Sequence, residues 1–99
     1  MKKYLVIALM LLSTAIFAQN HQVKGTVSDQ DGKPLAGFTV FEKGTSNGTT
    51  TGPNGTYQLT VSSENAILEF VCLGYTTISE EIRSRSLINI TAQEDAIDL

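Results

Sequence analysis

The chain has 99 residues, 41% of them hydrophobic, with seven Lys and Arg against ten Asp and Glu. That is enough for one small domain. Beyond Lys2 and Lys3 the cations are scattered (Lys24, Lys33, Lys43, Arg83, Arg85), which excludes the basic patch that nucleic acid or anionic lipid requires. A single cysteine excludes an internal disulfide.

The first element is an uncharged apolar run of 15 residues, "YLVIALMLLSTAIFA", Tyr4 to Ala18, behind Lys2 and Lys3. A membrane-spanning helix needs roughly 20 residues. The short run, its positive flank and the small residue before polar "QNHQ" predict a helical signal peptide over residues 1–18, cleaved after Ala18. The alternative is an uncleaved membrane anchor. No Cys follows the run, which argues against a lipoprotein. Cleavage leaves 81 residues and moves the formal charge from −3 to −5.

From His21 onward the apolar spacing is two, in short runs divided by Gly, Pro, Asn and Asp. "HQVKGTVS" predicts a strand with Val23 and Val27 on one face. "FTVFE" predicts a second, with Phe38 and Val40 pointing one way and Phe41 the other. A short third falls at Thr49 to Thr51. "TYQLTVS" alternates most cleanly, with Tyr57, Leu59 and Val61 inward. "AILEFVC" is apolar on both faces apart from Glu69, as a central strand would be. "TTISEEI" and "LINIT" place Ile78 with Ile82, and Ile88 with Ile90. Seven short strands near ten residues apart predict an all-β sandwich or small barrel.

Two turns punctuate this series. In "GPNG", Pro53 sets its φ, Asn54 tolerates the next position, and Gly55 takes positive φ, so Gly52 to Gly55 is read as a hairpin turn. In "DQDGKPLAG", Asp31-Gly32 makes the reversal and Pro34 keeps the following chain extended.

Candidate chemistry is thin. Gly32-Lys33 leads into Pro34, so no phosphate-binding loop is present. Asp29 and Asp31 begin an oxygen-ligand pattern, but Lys33 occupies the next ligand position of a calcium loop. The only histidine, His21, stands near the expected mature terminus, where order is poor, and no Ser has an obvious base. Glu80 and Glu81 are adjacent on a strand and project to opposite faces. That suits edge protection rather than paired-carboxylate catalysis. If the mature chain starts Gln19-Asn20-His21, its amine, two amides and the imidazole could form a square-planar nitrogen site for Cu(II) or Ni(II). The duller reading is a frayed tail. Cys72, within "AILEFVCLGY", reads as a buried small hydrophobe. Three Asn-x-Thr sequons, at Asn47, Asn54 and Asn89, matter only in a eukaryotic secretory pathway. The expectation is no catalytic residue, no cofactor and no metal.

The chain from Val23 onward resembles the carboxypeptidase-regulatory-like domain, in the form found at the N-terminus of SusC/RagA-type TonB-dependent outer-membrane receptors of Bacteroidetes. The residues that carry the resemblance are Gly25-Thr26-Val27, Asp31-Gly32-x-Pro34-Leu35-x-Gly37, Lys43-Gly44-Thr45, Gly48-Thr49, Gly55-x-Tyr57, and Leu68-x-Phe70 with Gly74-Tyr75. The resemblance implies a seven-stranded transthyretin-like sandwich, placed here over residues 19–92, followed by an acidic tail over residues 93–99. It also implies a non-enzymatic regulatory or interaction role on the periplasmic side of the outer membrane. The partners implied are receptor components or other periplasmic proteins, in the uptake of glycans or peptides. In such receptors the segment matching "TAQEDAIDL" runs on into a TonB box and plug, whereas here Leu99 stands where that box would begin. The expectation is therefore a receptor fragment or a free-standing copy. Cys72 departs from the polar or aromatic residue common there, a change of packing. The alternative function is a small secreted carbohydrate-binding module, weakened by the absence of Trp.

Overall fold

The computed structural model describes residues 20–95. The expected signal peptide, Gln19 and the last four residues of the expected tail lie outside them. Alternation of inward apolar and outward polar side chains produces β1 (His21–Ser28), β2 (Thr39–Glu42), β3 (Gly48–Thr50), β4 (Thr56–Val61), β5 (Ile67–Val71), β6 (Ile78–Glu81) and β7 (Ile90–Thr91). No described residue is helical.

The strands form two sheets, ordered β4-β1-β7 and β3-β2-β5-β6. Every pairing is antiparallel except β1 with β7, where Val27 pairs with Ile90 and Ser28 with Thr91 in parallel. The inner faces meet in a core of Val23, Val27, Phe38, Val40, Leu59, Val61, Leu68, Phe70, Ile82, Ile88 and Ile90, each at most 7% exposed. Phe38 stacks at a tilt on half-buried Tyr75 with ring centres 5.2 Å apart, and Phe70 meets Tyr57 edge-on at 5.4 Å. The predicted all-β sandwich is therefore the fold, and the predicted inward residues form the core except Ile78, which is half-buried against it.

Two local readings need correction. Gly52 to Gly55 is a tight turn, closed by the Gly55 N–H donating to the Gly52 carbonyl at 2.8 Å, and Gly55 has φ +74°. It is not a hairpin, because β3 belongs to one sheet and β4 to the other. Polar Thr residues on both sides carry no mark of which sheet they join, so the turn carries the chain across the sandwich. Likewise β5 is central within its sheet, between β2 and β6, yet only Leu68 and Phe70 are buried. Its other face looks outward, with Val71 36% exposed. Half-covered apolar side chains there read in sequence like core.

The parallel joint between β1 and β7 is closed by three residues. The Tyr57 hydroxyl donates to the Ile88 carbonyl at 2.6 Å, inside the core. The Thr26 N–H, left without that carbonyl, donates instead to Asn89 Oδ1 at 3.0 Å. Gly25 lies beneath: a Cβ there would stand 2.6 Å from the Ile88 carbonyl carbon and 3.0 Å from the Tyr57 hydroxyl. Here Gly serves close backbone approach rather than a turn. Burial pushes the Tyr57 phenol up to about 12, with nearby Arg85 opposing the rise and Glu80 adding to it. Its contribution to stability is present below the ordinary tyrosine range and is lost as pH rises toward 12.

Candidate functional site

Among the described residues one carboxylate is buried. Glu42 follows Phe38 and Val40 on the inner face of β2 and is 6% exposed. It stands at the corner where the two sheets meet. The Ser62 hydroxyl donates to Oε2, the Ser62 N–H donates to Oε1 at 3.1 Å, and Asn47 Nδ2 donates to Oε1 at 3.2 Å. Asn47 Nδ2 also reaches the Thr60 carbonyl of β4 at 2.7 Å. Glu42 thus ties β2 to the end of β4 across the sandwich. The Ser62 hydroxyl holds its carboxyl below the ordinary glutamate value against the opposing effect of burial, with Asn47 and the Ser62 N–H assisting.

The sign of the linkage follows. The unfolded chain takes up this proton first, so Glu42's stabilisation is present above about 4.5 and fades as pH falls through the lower folded value. Glu42→Gln is expected to cost about 1–3 kcal/mol at neutral pH. The variant should also flatten the acid limb of the stability curve, measured by urea unfolding between pH 3 and pH 7. The acceptors are spent on structure, so Glu42 has no free oxygen facing a substrate. Sequence reading missed it because a Glu breaks the apolar pattern; only its even spacing from Phe38 and Val40 marked it.

The edge of β6 carries the densest charge. Arg83 Nε donates to Glu81 Oε2 at 3.1 Å, and Arg85 Nη2 donates to Glu80 Oε1 at 2.9 Å and to the Glu81 carbonyl. Arg83 and Ser84 have positive φ, 50° and 63°, in a turn closed by Arg85 N–H to Ile82 O at 3.0 Å. Both residues are non-Gly, which marks a locally strained reversal. The Ser84 N–H is anchored on Glu64 O at 2.8 Å. Glu80 and Glu81 therefore neutralise the arginines and cap a sheet edge, in line with the edge role read from their spacing. Exposed pairs of this kind contribute little stability.

The remaining sequence candidates do not converge. His21 is not frayed: it opens β1 opposite Val61, and its Nε2 lies 2.7 Å from the Arg85 carbonyl oxygen. The amine that a Cu(II) or Ni(II) site would need belongs to Gln19, outside the described residues. Asp29 Oδ1 accepts the N–H groups of Asp31 and Lys33, both at 2.9 Å, so it organises its own turn. Asn47 and Asn89 are exposed, and the side chain of each is hydrogen-bonded to the fold. Cys72 is half-buried against the core instead of fully buried, because it begins the turn that presents Leu73, 99% exposed. Among the described residues, no three His, Cys, Asp or Glu side chains gather as a metal cluster. Phe38, Tyr57 and Phe70 are buried and Phe41 and Tyr75 half-buried, so none of the described rings forms an exposed sugar platform.

The chain's C-terminal side is also tied to this fold. Thr76 N–H donates to Gln93 O and Asp95 N–H to Gly74 O, both at 2.9 Å, with Tyr75 bridging Glu94. What the surface offers, then, is strand edges and loop ends.

The chain is 36% identical over 100 aligned positions to TonB-dependent receptor P3 of Formosa agariphila, covering 100% of this chain and 10% of that protein. It is 35% identical over 95 positions to TonB-dependent receptor P39 of the same organism, covering 92% and 9%. It is 34% identical over 91 positions to TonB-dependent receptor SusC of Bacteroides thetaiotaomicron, again covering 92% and 9%. The chain thus spans about a tenth of the length of these relatives. The family model for the CarboxypepD_reg-like domain matches residues 23–99, which takes in all seven strands but the first two residues of β1. The protein belongs to the CarboxypepD_reg-like domain family.

Proposed function

We propose that the chain is a non-enzymatic regulatory or interaction module of the cell envelope, acting on the periplasmic side of the outer membrane. In this reading it is the N-terminal part, or a free-standing copy, of the accessory domain of a TonB-dependent receptor for glycans or peptides. Residues 1–18 are its export leader, residues 19–92 the sandwich, and residues 93–99 the start of a linker. The observation that carries the reading is that each relative named above is a TonB-dependent receptor aligned along nearly the whole of this chain. Its physical support is the lack, among the described residues, of both a free arginine at the β6 edge, where Arg83 pairs with Glu81 and Arg85 with Glu80, and a cluster of three metal-ligating side chains. Binding through strand edges and loop ends needs neither.

In-frame deletion of His21–Asp95 that preserves the leader tests this. The expected result is several-fold lower nutrient uptake through the cognate receptor, with the amount of assembled barrel unchanged. Unchanged uptake overturns the reading.

A further inference from the structure

The four outer strands differ in what covers them. β6 is screened by Glu80, Glu81, Arg83 and Arg85. β3 and β4 lie at one corner, held by Gly52 N–H to Thr56 O at 3.0 Å, by Asn47 on the Thr60 carbonyl, and by Ser62 on Glu42. β7 has no such cover. Its partner β1 takes the Ile88 N–H on Lys24 O at 2.9 Å and the Ala92 N–H on Ser28 O at 2.7 Å, and the Lys24 N–H reaches Ser86 O at 2.9 Å. Ser86, Ile88, Ile90 and Ala92 therefore turn their main-chain groups toward β1. By the alternation of extended chain, Leu87, Asn89 and Thr91 turn theirs to the opposite side. No strand pairs with that side among the described residues.

The side chains leave this edge open. From Ser86 to Gln93 there is no charged residue and no Pro, the usual blocks on an edge. Leu87 is 58% exposed, and Asn89 folds its amide oxygen onto the Thr26 N–H rather than over the edge. The open window ends where Thr76 N–H takes the Gln93 carbonyl.

We propose that the open edge running from Leu87 through β7 to Thr91 receives an extended segment of a partner protein as an added strand. The inference rests on the interaction-module reading and names its surface. Outward N–H and C=O groups on alternate residues are matched by an extended backbone, so the occupant is a strand. Antiparallel addition gives the more stable ladder. The uncharged edge calls for an uncharged, β-branched segment with an apolar side chain beside Leu87. A second copy of this chain fits less well. Five residues a side fall far short of the roughly 20–30 that a stable protein–protein interface uses.

The test is NMR titration of the full chain, 15N-labelled, with the uncharged probe peptide acetyl-STVTVTS-amide. The expected result is shifts and slowed hydrogen exchange at the amides of Leu87, Asn89 and Thr91. Leu87→Lys, on a side chain already exposed, should weaken the peptide at least tenfold with the other amide shifts unchanged. No response of those three amides up to millimolar peptide, or a response at β4 or β6 instead, overturns the proposal. Concentration-dependent dimerisation without peptide, abolished by Leu87→Lys, also overturns it by making the occupant a second copy. Failure here with lowered uptake in the His21–Asp95 deletion would reject this edge and leave the module reading standing.

Discussion

Replacing Gly25 with Ala is expected to cost on the order of 3 kcal/mol or more and to leave the domain largely unfolded at 37 °C. Overpacking a core usually costs about 1–3 kcal/mol because side chains give way. At Gly25 the obstacle is the Ile88 peptide group, so the strand itself must move. Moving it parts β1 from β7 and pulls the Ile88 carbonyl from the Tyr57 hydroxyl, a buried bond whose loss adds about 1 kcal/mol or more. A domain of this size has a total stability of only about 5–10 kcal/mol. Gly52→Ala is the control, since a Cβ there meets nothing within 4 Å and needs no positive φ. It should lie within about 0.5 kcal/mol of the parent. Urea unfolding of the two variants side by side measures the difference, and equal midpoints would show that the β1–β7 joint tolerates a methyl group.

Phe70→Ala is expected to cost about 3–5 kcal/mol, the usual range for deleting a buried aromatic ring. Phe70 is fully buried at the middle of the larger sheet, opposite Val40 on β2 and Ile78 on β6. It also loses its edge-on contact with Tyr57, which joins the two sheets. Thermal unfolding should show a midpoint at least about 12 °C lower. Val71→Ala, one residue along but 36% exposed and facing outward, should move the midpoint by only a few degrees. A similar fall for both would mean that β5 is buried on both faces, as its composition alone suggests.

That contrast marks what the amino-acid order makes legible. Strict alternation in "TYQLTV" sets Tyr57, Leu59 and Val61 inward, and the structure buries all three. Gly, Asp and Pro place the turns correctly, down to the positive φ at Gly55. The rest depends on partners distant in sequence. Whether Thr49 and Thr56 join one sheet or two is decided by β2 and β1, not by the turn between them. Gly25 reads as an ordinary weak point in a strand until Ile88, 63 residues later, is seen to press on it. Glu42 looks like the polar end of β2 because its donors, Ser62 and Asn47, come from later segments. The same holds for the surface: Leu87 beside Asn89 reads as half of an ordinary strand, and only the sheet order reveals an uncovered edge.

Those pairings also bear on function. The Asp95 N–H is held on the Gly74 carbonyl, next to fully exposed Leu73. The β7 edge lies on the flank of the smaller sheet. Both surfaces exist only because the two sheets hold their order.

Nuclear Overhauser contacts between backbone protons test that order most directly. The account predicts parallel cross-strand contacts between Val27 and Ile90, antiparallel contacts between Val40 and Phe70, and no ladder joining β3 to β4. Sequential helical contacts, or a continuous β3–β4 hairpin merging the two sheets into one, would contradict it.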